Sequence, residues 1–118
     1  MKKKRKHVVE LAKKVAKARD KYTCLWCRRD ERTVQIHGSH IKGEGAYPNL
    51  SYNPKNIKAL CSSCHRKWHS SPLDGATWFQ EKFPEWHDEI QALAREPVGK
   101  HDYDAIYEEL TRELKKYG

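Results

Sequence analysis

The sequence predicts an α+β domain in which a short β-hairpin lies among helices and a metal clips the chain. Three observations carry that expectation. Cys24-Leu-Trp-Cys27 and Cys61-Ser-Ser-Cys64 use all four cysteines of the 118-residue chain. Two thiolate pairs at this spacing supply the ligands of a closed tetrahedral zinc knuckle. Between them Thr33 to His37 alternates apolar and polar residues, as a half-buried strand does, and helical periodicities flank the cysteine region.

Residues 1–7 read as a disordered basic arm, which also imitates a nuclear-import signal. From Val8 to Ala18 the apolar positions Val8, Leu11, Ala12, Val15 and Ala18 follow helical spacing, with lysines on the other face. After the first knuckle and the strand at Thr33–His37, Gly38 allows a turn or bulge, and Ser39-His40-Ile41 can return as the second strand of a hairpin. Residues 42–55 carry three loop signals, Gly43-Glu-Gly45, Pro48-Asn49 and Asn53-Pro54, and have no evident core role. Asn56 to Leu60 leads into the second knuckle. Ser62 or Ser63 can cap a helix that runs through His69 or Ser70 and stops before Pro72. Thr77–Phe83, Glu85–Arg95 and Asp102–Tyr117 are expected as further helices, separated by Pro84 and Pro97-Val-Gly99. The domain plan is therefore 1–7 arm, 8–72 zinc-stabilised core, and 73–118 a helical extension packed on that core.

Hydrophobic residues make up 37% of the chain and charged ones 34%, so a metal clip would help a thin core. Net charge is +8 and unevenly spread. Residues 1–21 hold ten Lys/Arg against two acids, residues 22–75 eight against four, and residues 76–118 six against ten. A polyanion, nucleic acid above all, is the partner this favours. No apolar run has the length of a membrane span or signal core, which argues for a cytoplasmic chain without a membrane partner. In that compartment paired Cys-x-x-Cys motifs mean metal more often than disulfide.

Other readings of the cysteines are weaker. A redox role for Cys61/Cys64 lacks the βαβ context of a thioredoxin-like motif. Cys61-Ser-Ser-Cys64-His65 also fits c-type haem attachment, but that reading leaves Cys24 and Cys27 without a use. His65 and His69 stand at i and i+4, so on a helix two imidazoles can reach one metal ion, and the same spacing fits two polar surface groups. His37 and Ser39 share one face of a continuous strand, and His40 faces the other.

Taken together these residues resemble the HNH endonucleases with the ββα-metal fold, in the zinc-knuckle form found in small phage and bacterial members. The resemblance spans Ala18 to His69. It is carried by Arg19-Asp20-Lys21-Tyr22-Thr23-Cys24-x-x-Cys27, Ser39-His40-Ile41, Asn56-Ile57-x-x-Leu60-Cys61-x-x-Cys64-His65 and Lys67-x-His69. It implies a metal-dependent DNA endonuclease with His40 as general base, Asn56 holding the hairpin and loop, and His65 as a ligand of the catalytic ion. His69 fits a further ligand or a phosphate contact. The family commonly has an acid or histidine before the general base, and here that residue is Ser39. Ser39 itself, His37 or a water then has to fill the place. The implied cofactors are structural Zn2+ and a divalent catalytic ion: Mg2+, Mn2+, Ni2+ or Zn2+. The implied setting is the cytoplasm of a bacterial or phage-infected cell.

Candidate phosphate contacts are Lys2, Lys3, Lys4, Arg5, Lys6, Lys55, Lys58, Arg66 and Lys67, with Arg28 and Arg29 beside them. Two rival functions keep part of the pattern. A zinc-ribbon nucleic-acid-binding module uses the cysteines and the arm without catalysis. An interaction subunit of a larger DNA-processing machine would dimerise or dock through the C-terminal stripe Tyr103, Ile106, Tyr107, Leu110 and Leu114, which can equally pack on its own domain.

Overall fold

The computed structural model describes residues 2–97, 99 and 101–117. Among them are five α-helices and one two-stranded antiparallel sheet, an α+β arrangement. The elements are α1 (Arg5–Arg19), β1 (Ile36–His40), β2 (Ile57–Cys61), α2 (Ser62–Ser70), α3 (Pro72–Lys82), α4 (Pro84–Ala94) and α5 (Tyr103–Lys115).

The sheet corrects the expected hairpin. β1 runs without a break through Gly38 to His40 and pairs with β2, from Ile36 opposite Cys61 to His40 opposite Ile57. The return strand is thus Ile57–Cys61, and not residues 39–41. Gly38 has no turn to make. A β-carbon there would lie 2.8 Å from Lys13 Cβ and 3.2 Å from Lys13 Cα, so its missing side chain lets α1 close onto the sheet. At Gly38 the glycine thus provides close approach and not the turn or bulge its conformational freedom suggests.

α1 covers one side of the sheet. Its face of Val8, Leu11, Ala12, Val15 and Ala16 joins Ile57 and Leu110 in one buried cluster. Tyr103, Ile106, Tyr107 and Leu114 of α5 pack against that cluster, so the stripe offered to a docking partner is covered by the chain's own α1. The second cluster surrounds the cysteines. Cys24, Leu60, Cys61, Trp68, Phe79 and Ile90 form it, with Trp26, Trp78, Phe83 and Trp86 partly buried against it. α3 and α4 therefore back the cysteine region with aromatic rings.

Several boundaries differ from expectation for local reasons. α1 begins at Arg5, so Arg5, Lys6 and His7 are helical and not part of an arm, and the Lys3 N–H donates to Asp104 Oδ1 at 2.8 Å. Met1 lies outside the described residues. Pro72 does follow the end of α2, but as the first residue of α3, where its missing N–H costs nothing. α2 is capped by Cys61, whose Sγ accepts from Cys64 N–H, rather than by a serine. Asn53 makes the expected turn, accepting from Lys55 N–H at 3.0 Å, and Asp102 caps α5.

Candidate metal centre and histidine cleft

β2 and the loop after α1 bring the two knuckles together. Leu25 N–H donates to Ala59 O at 3.0 Å, pinning the first knuckle to the strand that carries the second. Within each pair the later backbone N–H points at the earlier sulfur, Cys27 to Cys24 Sγ and Cys64 to Cys61 Sγ, both at 3.4 Å. The sulfurs of Cys24, Cys27, Cys61 and Cys64 all lie within 4.8 Å of one another, and Cys27 Sγ is 3.7 Å from Cys61 Sγ. Four sulfurs at ~2.3 Å from one zinc ion sit about 3.75 Å apart, so the cluster fits a structural zinc. Among the described residues this is the one group of three or more His, Cys, Asp or Glu side chains that converges so closely. Its electrostatics fit a cation as well. Burial opposes ionisation of Cys27, yet the Arg29 N–H and guanidinium bring its thiol down to about 6. Burial and neighbouring sulfurs push Cys64 up, and burial raises Cys24, the burden that a bound cation would relieve.

Beside this centre is a cleft of about 660 Å³ lined by Lys13, Gly38, His40, Ile41, Gly43, Glu44, His65, Trp68, His69, Pro72 and Ala76. It collects three of the expected site histidines from β1 and α2. His40 is half-buried, and its Nε2 lies 2.8 Å from Ser51 O. A carbonyl only accepts, so Nε2 carries the proton and Nδ1 holds the lone pair. Glu44 Oε1 lies 3.4 Å from that Nδ1. Burial holds His40 below its ordinary pKa, against the opposing pull of Ser51 O and Glu44.

Asn56 is fully buried and acts on the loop rather than on the cleft. Its Oδ1 accepts from Lys42 N–H at 2.8 Å, and its Nδ2 donates to Lys42 O and Leu50 O. Asn56 O also takes the Ile41 N–H at 2.8 Å. These bonds fix the start and end of the 42–50 loop, and so place Ser51 O under His40. Asn56 is thus a positioning residue.

The other expected site histidines form a row. His37 Nδ1 lies 3.0 Å from His65 Nδ1, and His65 Nε2 lies 3.1 Å from His69 Nε2. Two nitrogens bound to one ion at ~2.0–2.1 Å sit roughly 3–3.4 Å apart, so either pair has the separation of shared ligands. His65 and His69 line the cleft and His37 does not, which leaves His37 to orient His65 from behind. Burial, with His69 and His37 alongside, lowers His65 to about 4.

Two expected site residues are elsewhere. Ser39 is buried and off the cleft, its Oγ accepting from Lys58 Nζ at 3.3 Å. Lys58, expected on a phosphate track, is 0% exposed, with its ammonium 3.4 Å from the centre of the Trp68 ring. Strand alternation explains both, because the pair Ser39 and Lys58 faces α2 and not solvent. Lys2, Lys4, Lys6, Lys55, Arg66 and Lys67 are exposed, although Lys55 is ion-paired with Glu89 and Lys67 covers the Trp26 ring. Lys3 lies over Tyr107, and Arg5 Nε reaches Ser51 Oγ at 3.4 Å. Sequence reasoning missed Lys13, Glu44 and Ser51. Glu44 sits in the loop already singled out, and i+4 from His40 was the available signal.

Compared with known protein families, curated proteins and solved structures, the chain matches none. The candidate site rests on its own geometry.

Proposed function

We propose that the protein is a metal-dependent DNA endonuclease of the HNH type. The observation that carries this reading is His40: one ring nitrogen is tied to a backbone carbonyl, the other faces the Glu44 carboxylate at 3.4 Å, and the residue lines a cleft with His65 and His69. That is how a general base must be held, with its tautomer fixed and its lone pair facing the substrate. His40 Nδ1 takes the proton of the attacking water, and the Glu44 carboxylate offsets the charge of the imidazolium that forms. His65 and His69 are the residues to hold a divalent ion, with His37 orienting His65. Such an ion would stabilise the charge on the phosphate and on the leaving 3′ oxygen. Products with 5′-phosphate and 3′-hydroxyl ends are expected.

The buried Ser39 favours a second reading, a zinc-ribbon module that binds nucleic acid without cutting it. With Ser39 against Lys58, position 39 does not supply the ligand that an acid there would give. A plasmid-nicking assay with added Mg2+, Mn2+ or Ni2+ separates the two. The endonuclease nicks or linearises supercoiled DNA, and His40→Ala loses this by at least ~10²-fold with unchanged DNA affinity and melting. DNA binding without nicking under every metal would leave the module.

A further inference from the structure

The cleft has one cation that neither the zinc centre nor the histidine chemistry uses. Lys13 lines it together with His40, His65 and His69. It also lines a second groove, of about 350 Å³, with Arg5, Lys6, Val9, Glu10 and Glu44. The two spaces share Lys13 and Glu44, so Lys13 stands at their junction. Its place there is built into the fold. The Lys13 stem lies on Gly38 at a distance no other residue at 38 would allow, and at the far end Arg5 is tied to Ser51, whose carbonyl holds His40.

We propose that this edge of α1, Arg5 with Lys6 and then Lys13, is the phosphodiester track of the cleft, and that Lys13 takes the phosphate lying against His40 and His65. The proposal rests on the nuclease reading and adds the strand path and a residue for the reacting phosphate. Scale and charge agree with it. Eight helical steps separate Arg5 from Lys13, a rise of about 12 Å. That rise corresponds to three to four base steps along the duplex axis, at ~3.4 Å per step. Glu10, which pairs with Lys13 Nζ at 3.4 Å, and Glu44, which faces His40, are the acids in these grooves. A phosphate arriving at Lys13 displaces the exposed Glu10. An ammonium at this point also stabilises the extra charge that a phosphate gains under attack.

The test uses the full, zinc-loaded chain and a labelled DNA duplex, with binding followed by anisotropy from about 50 to 200 mM salt and no added divalent metal. The variants are Lys13→Met, which keeps the stem on Gly38, Lys13→Arg, and Lys82→Met, a lysine that lines neither groove. Lys13→Met is expected to bind more weakly and to flatten the slope of log K against log salt by ~0.9, the loss of one phosphate contact. In the plasmid assay it lowers kcat by ~10-fold or more, Lys13→Arg restores most of this, and Lys82→Met behaves as wild type. Wild-type slope and kcat in Lys13→Met would overturn the proposal while leaving the nuclease reading intact. A flattened slope with unchanged kcat would overturn the placement of Lys13 at the reacting phosphate. A wild-type chain that binds no DNA would remove the nuclease reading, and the track with it.

Discussion

His40 keeps Nδ1 available because Ser51 O occupies Nε2, and burial disfavours its charged form. The pH profile follows from the sign of that shift. In the proposed mechanism the neutral imidazole is the base, and burial holds its pKa in the folded chain below the ordinary ~6.5. Cleavage should therefore be level from neutral pH upward and fall only as pH drops through a value under 6.5. An acid limb in kcat/KM centred above 7 would mean that the base is another group. Lys58 is the other residue with a consequence. Burial drives its ammonium pKa well down against the pull of Asp20 and Cys24, so a Met of similar length should be tolerated there. Lys58→Met is expected to move the melting temperature by only a few degrees, since losing the hydrogen bonds to Ser39 and His40 O and the Trp68 contact is offset by no longer burying an ammonium. A drop of many degrees in a thermal melt would show that the ammonium has a structural partner of greater weight. Neither feature could be read from sequence. Lysines inside a motif-rich segment look like phosphate contacts until the strand pairing sets which way they face.

At the scale of elements, the packing of α1 on β1 decides the geometry of the cleft. Gly38→Ala would place a methyl 2.8 Å from Lys13 Cβ and 3.2 Å from its backbone Cα, so the helix itself must move. Overpacking of this kind costs typically 1–3 kcal/mol. A denaturant midpoint for Gly38→Ala equal to wild type would contradict the account of why α1 sits so close. The helices were legible because their signals are local: apolar spacing in α1 and α5, and Pro84 dividing α3 from α4, although α3 starts at Pro72, five residues before the expected Thr77. The pairing of β1 with β2 was not. Their partners are separated by the whole 42–55 loop, and nothing in the short run Ile57-Lys-Ala-Leu-Cys61 distinguishes a strand from an extended lead into the knuckle. The loop between them was recognisable as unusual, and its work proved to be the Asn56 clamp that sets Ser51 O.

For the molecule as a whole, the tetracysteine centre and the proposed site of the catalytic ion stand side by side. Four sulfurs enclosed by the aromatic cluster under α3 and α4 make a closed centre, whereas His65 and His69 open onto a cleft. The tetracysteine set was plain in the sequence, because four ligands in two fixed spacings leave few alternatives. The histidine row was only half legible, since the contact of His37 with His65 depends on the register of the sheet. Zinc held by four thiolates contributes folding energy on the order of 10 kcal/mol and should exchange slowly. An ion held by two imidazoles should leave readily and return readily. The decisive measurement treats one sample with a mild chelator and reads both zinc content and plasmid nicking. The expected result is one zinc per chain retained, an unchanged thermal melt, nicking abolished, and nicking restored by added Mn2+ or Ni2+. Nicking that persists after chelation, or that no divalent metal restores to a zinc-loaded, folded chain, would contradict the two-site account.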